Sequence, residues 1–84
     1  MGIEFDPAKD RANIVKHGVP LARFEDVVLK ALLIDDRLDY GEVRYRGWGV
    51  LEGELVQATF VIRDDVTRVI GLRRCHEEYR RHVR

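Results

Sequence analysis

The sequence predicts an α+β domain with two helices at the front, an antiparallel sheet of about four strands, and a closing helix. Three observations carry this. Two segments before residue 31 space their apolar residues as helices do. From Val43 to Leu72, β-branched and aromatic residues dominate in short runs. The runs are separated by Gly, Pro or clusters of Asp and Glu, which punctuate the chain.

Taken in order, Ile3 to Phe5 is a short apolar run that reads as a strand. Asp6-Pro7 opens a helix: the carboxylate caps free N–H groups and proline fits the first turn. Ala8, Ala12 and Val15 then fall on one face, with Lys16 and His17 in the last turn and Gly18 as the C-cap. Pro20 opens a second expected helix, with Leu21, Phe24, Val27 and Val28 as its apolar positions, ending near Lys30. Ala31 to Ile34 is a short strand candidate, and Asp35 to Gly41 is turn-like. Val43 to Leu51 reads as a strand in which Gly47 and Gly49 mark a bulge or a close approach. Glu52-Gly53-Glu54 is a hairpin turn, Leu55 to Ile62 a strand, Arg63-Asp64-Asp65 a second turn, and Val66 to Leu72 the last strand. A helix starts at Arg74 or Cys75.

With 84 residues, the chain forms one domain spanning residues 1–84 with a modest core. Charged residues make up 36%, yet 15 basic and 15 acidic side chains cancel, so net charge gives no sign of a nucleic-acid partner. Their distribution is uneven, because from Arg73 onward five Arg face two Glu. A single cysteine excludes an internal disulfide and fits a reducing cytosol. The charged start IEFDPAKD does not read as a signal peptide, and no apolar run approaches the ~20 residues of a membrane helix. A cytoplasmic location without a membrane partner is expected. Asp35, Asp36 and Asp39 lack the spacing of a calcium loop and read as a polar turn. No phosphate loop, nucleophile elbow or zinc-ligand spacing is present, so neither metal nor cofactor is expected.

The stretch from Arg68 to Arg84 concentrates Arg, His, Glu and Tyr. Arg73 and Arg74 are adjacent, so on a strand they point to opposite faces, and Arg73 is the better candidate for a site. Arg44 and Arg46 are read with one toward the open side of the sheet and the other toward solvent. His17 and His76 offer imidazoles that titrate near neutral pH, although His17 also suits a helix C-terminus. Glu77 and Arg81, four apart, read as a solvated helix pair. Trp48 and Cys75 read as packing.

The order of motifs resembles the BrnT family. The opening Phe5-Asp6-Pro7-x-Lys9-x-x-x-Asn13-x-x-Lys16-His17-Gly18-Val19 carries the resemblance. Arg44, Gly47 or Gly49, Arg68 and Ile70-Gly71-Leu72-Arg73-Arg74-Cys75 then follow in the same order. Three positions depart from the pattern: Cys75 replaces a usual Ala, and Tyr79 and Val83 stand where Glu and Tyr are common. The family comprises ribonuclease toxins of bacterial type II toxin–antitoxin pairs with a compact RelE-like fold. The resemblance therefore implies a metal-independent endoribonuclease that arrests growth. RNA supplies its own 2′-OH nucleophile, so such an enzyme needs a base, an acid and cations on the developing phosphorane charge. His17, Arg44, Arg73, Arg74, Glu78 and Tyr79 are the implied catalytic residues, and Lys9, Lys16, Arg68 and Arg80 the implied RNA-binding ones. The implied partner is a cognate BrnA-like antitoxin with a DNA-binding segment, in a hetero-oligomer that reaches operator DNA only through it. In that setting Trp48 has a second reading, as a base-stacking platform. The alternative is a weak or inactive toxin-fold module that acts with an antitoxin in a DNA-bound repressor complex. The zero net charge favours it, since phosphate affinity scales with the cations presented.

Overall fold

The computed structural model describes residues 2–83. Strand β1 (Gly2–Glu4) leads into helix α1 (Pro7–His17), a 3-10 segment (Leu21–Asp26), β2 (Val28–Asp35), β3 (Arg44–Leu51), β4 (Glu54–Arg63), β5 (Val66–Arg74) and helix α2 (His76–His82). The strands form one sheet in the order β1-β5-β4-β3-β2. Among the described residues, no helix is long and apolar enough to cross a membrane.

Local chemistry explains α1. The Asp6 carboxylate accepts from the Ala8 N–H at 2.8 Å, and Gly18 ends the helix at φ 72°, donating its N–H to Ile14 O at 2.7 Å. The inward side chain is not the expected apolar one. Val15 is 89% exposed, whereas Asn13 is buried. Its amide lies along the free edge of β5, with Nδ2 donating to Leu72 O (2.8 Å) and Val19 O (2.7 Å), and Oδ1 accepting from the Leu72 N–H (3.3 Å). A side-chain amide thus takes the place of a neighbouring strand's peptide group at Leu72.

The expected two N-terminal helices and four-stranded antiparallel sheet are both overturned. Only α1 is an α-helix at the front, and the sheet has five strands and is mixed. The second segment carries Leu21, Phe24 and Val27 three residues apart, which is the spacing that eclipses side chains in a 3-10 helix. Leu21 is buried, and Phe24 and Val27 pack against the core beside it. Val27 is already extended (φ −76°, ψ 128°), and the β-branched and leucine-rich run that follows pairs with β3 along its whole length. The fifth strand is β1, whose Ile3 pairs with Thr67 in parallel. No hairpin joins β1 to β5, so nothing local in the sequence specifies that direction.

The remaining strands follow their turns. Glu52-Gly53 and Asp64-Asp65 both take positive φ at two successive residues, the geometry of a tight two-residue hairpin. Gly49 is required by proximity, since a Cβ there would sit 2.3 Å from Val28 O. One face of the sheet holds the core, where Val19, Leu21, Leu51, Val56, Ala58, Phe60, Val69 and Leu72 cluster. Phe60 stacks with Tyr45 (5.7 Å) and meets Phe24 (5.2 Å).

Candidate active site

The opposite face of the sheet is built differently. Arg44, Arg46 and Trp48 alternate with the core-facing residues of β3, so all three side chains emerge on this second face. Gln57 of β4 sits between Trp48 and Arg73 in the cross-strand register. Three arginines from two strands therefore share one surface with Gln57 and Trp48. The expectation that Arg44 and Arg46 point to opposite sides is corrected: residues two apart on a strand share a face.

Helix α2 covers part of this face. Cys75 holds the turn into it, with its N–H donating to Leu55 O at 2.9 Å and its Sγ 3.7 Å from Gln57 Oε1. From α2, His82 stacks on the Trp48 indole at 3.9 Å with planes 21° apart. Glu78 lies 3.5 Å from the Arg73 guanidinium, which also donates to Gln57 Oε1 at 3.1 Å. Arg46 lies 5.3 Å from the Trp48 ring and Arg44 packs 3.9 Å over Tyr40. Four buried polar atoms lack partners among the described residues: Arg44 Nε, Arg46 Nε, Trp48 Nε1 and Glu78 Oε2. All four belong to this one face or its roof, and orphaned polar groups of this kind ask for an explanation. The side chains of Arg73 and Glu78 remain 40% and 33% exposed, so the pair is open to a ligand from solvent.

At the β2 end, Asp35 is buried and gripped by Arg37 through Nε (2.7 Å) and Nη2 (2.9 Å). The Arg37 hydrogen bond holds the Asp35 carboxyl at about 2, assisted by the charge of Arg46 and opposed by burial. Arg37 is raised in turn by the same contact. Asp36 and Asp39 are exposed in the turn. Among the described residues, no group of three or more His, Cys, Asp or Glu side chains could hold a metal ion.

The residues singled out from the sequence fall into two groups. Arg44, Arg73 and Glu78 gather on the roofed face, with Tyr79 half-buried in the next position of α2 and Arg80 exposed beyond it. Arg68, one residue before core-facing Val69, emerges on this side too, paired with Glu4 at 3.5 Å. His17 and Arg74 lie elsewhere, and the structure does not bring them to Arg44. Arg74 points to the core side, ion-paired with Glu54 and donating to His17 O at 3.3 Å. His17, Lys16 and Lys9 line a shallow groove between α1 and Ile70. Burial, then Lys16, then Arg73 hold the His17 imidazole below its usual range, favouring the neutral ring. A cleft near Gly18 contains Arg23 and Arg74, but both arginines are already matched by Glu52 and Glu54. It offers no free cation.

Arg46 was expected on the side opposite Arg44, and Gln57 and His82 do not stand out in the sequence. The spacing of His82 held a signal: it lies four residues after Glu78, on the same helix face, whereas the Glu77–Arg81 pair is exposed. Trp48 is fully buried, as expected of packing, yet it lies on the arginine side and outside the main apolar cluster.

Over residues 5–78 the chain matches the family described as ribonuclease toxin, BrnT, of type II toxin–antitoxin system. No curated relative matches it.

Proposed function

Because the chain belongs to the BrnT family of ribonuclease toxins, we propose that the roofed sheet face is where it cuts RNA, and that it does so without a metal. The observation that supports this reading is the concentration of three arginines and four unpartnered polar atoms on one surface. Arg73, Arg44 and Arg46 bind the nonbridging oxygens of the scissile phosphate, a role that suits a planar guanidinium that stays charged. The partnerless Oε2 of Glu78 accepts the proton of the attacking 2′-OH. The 2′-oxygen bonds to phosphorus as the bond to the 5′-oxygen breaks, leaving a 2′,3′-cyclic phosphate. The departing 5′-oxygen takes its proton from the α2 side, where Tyr79 and His82 stand. In the cell this activity arrests growth. A BrnA-like antitoxin with a DNA-binding segment neutralises it by covering the arginine face.

The test is cleavage of RNA by the purified chain beside its Arg73→Ala variant, with growth followed on expression. Wild type produces fragments with cyclic-phosphate ends and arrests growth. The variant loses about 10²–10³-fold in rate while remaining folded. If wild-type chain leaves RNA intact yet binds its antitoxin and operator DNA, the repressor-module reading replaces this one.

A further inference from the structure

The two edges of the sheet are treated unequally. On one side β1 is three residues long, and Asn13 of α1 occupies the edge of β5 at Leu72. On the other, β2 runs for eight residues and pairs only with β3. Its apolar side chains are exposed on both faces: Val28 57%, Leu29 40%, Leu32 51%, Leu33 41% and Ile34 62%. Natural edge strands are usually blunted by charge, proline or a bulge. Here the one irregularity falls between Leu29 and Ala31, and the four residues after it carry no charge.

We propose that two copies of this chain pair through β2, antiparallel, about a two-fold axis normal to the sheet at Leu33. The strand is self-complementary in that register and in no neighbouring one. A two-fold normal to the sheet returns each face to itself and sets residues of equal parity opposite each other. Centred on Leu33, it places Leu32 against Ile34 twice on the core-side face and Leu33 against Leu33 on the arginine side. Ala31 meets Asp35, whose carboxylate is already held by Arg37. Flanking the paired segment, the bulge residue Lys30 is brought toward Asp36, which directly follows the strand, twice, and both side chains are exposed. Centring on Leu32 would set Lys30 against Ile34, and centring on Ile34 would set Leu32 against Asp36. Charge and hydrophobicity thus select one arrangement, which joins the two sheets into one of ten strands. The arginine faces of both copies then lie on the same side, presenting two cationic surfaces in one plane.

Sedimentation velocity over a concentration series tests this with the full chain. Wild type shows a concentration-dependent dimer. Lys30→Glu and Asp36→Lys each weaken it by about tenfold, because each change turns two symmetry-related attractions into repulsions. The double exchange Lys30→Glu/Asp36→Lys restores it, and Leu33→Lys abolishes it. These side chains are exposed, and unchanged urea midpoints confirm that the variants fold. A wild-type chain that stays monomeric at near-millimolar concentration overturns the proposal. So does a dimer that the double exchange fails to restore. Protection of the β2 amides from hydrogen exchange only when antitoxin is added would assign the edge to a foreign strand instead.

Discussion

The same three strands, β3, β4 and β5, build two unlike faces. Toward α1 and the 3-10 segment, the side chains are apolar and interdigitated, with Phe60 between two further aromatic rings. Toward α2, the alternate residues of those strands present Arg44, Arg46, Trp48, Gln57 and Arg73. Every partnerless buried side-chain atom found among the described residues lies on this second side. A domain of this size has only a small margin of stability, on the order of 0.05–0.15 kcal/mol per residue. Leaving several donors unmet is therefore costly, and it is tolerated where a ligand completes them. The contrast separates a face that holds the fold from a face held ready by it.

The largest expected effect is on the packed side. Phe60→Ala should destabilise the chain by about 3–5 kcal/mol, a large share of its stability, in a urea titration. Its mirror test is Arg46→Met, which keeps the apolar stem and removes an orphaned donor. The unfolding free energy from the same titration should stay within about 1 kcal/mol of wild type, while RNA cleavage falls about 10²-fold. If Arg46→Met unfolds the chain as Phe60→Ala does, the second face is merely another core. The smallest effect concerns pH. Asp35 titrates at about 2 in the folded chain against 3.8 for a free carboxyl. A depressed folded-state value means that its contribution is complete above about 4 and is lost as pH falls through about 2. Asp35→Asn should flatten the acid limb of the stability profile in that window and leave cleavage at neutral pH unchanged.

Much of this was legible in the residues. Asp6-Pro7 and Gly18 mark the ends of α1 within a residue, and the turns at Gly53 and Asp64-Asp65 place the hairpins correctly. Strand alternation predicts that Arg73 and Arg74, both candidates, point to opposite faces, and they do. What failed was read against a rigid period or depended on distant pairing. Leu21, Phe24, Val27 and Val28 fit an α-helical face, but the intervals of three among the first three favour the tighter helix. Ala31 to Ile34 is legible as a strand, whereas Val28 to Lys30, the first three residues of β2, fit the helical spacing before them and read as helix. The parallel docking of β1 and the separation of His17 from Arg44 are set by contacts far apart in the chain. Asn13 stands in the opening motif, but its burial against Leu72 has no signature in local spacing.

The Asn13 contact also orders events in time. Its partner on β5 lies 59 residues further along the chain, and the residues that pair with β1 come almost as late. During synthesis the first helix emerges early, yet neither it nor β1 can dock until β5 has left the ribosomal exit tunnel. Arg73 arrives with that same strand. Docking of α1 and β1 therefore waits on the emergence of β5, and Arg73 reaches the sheet in the same step.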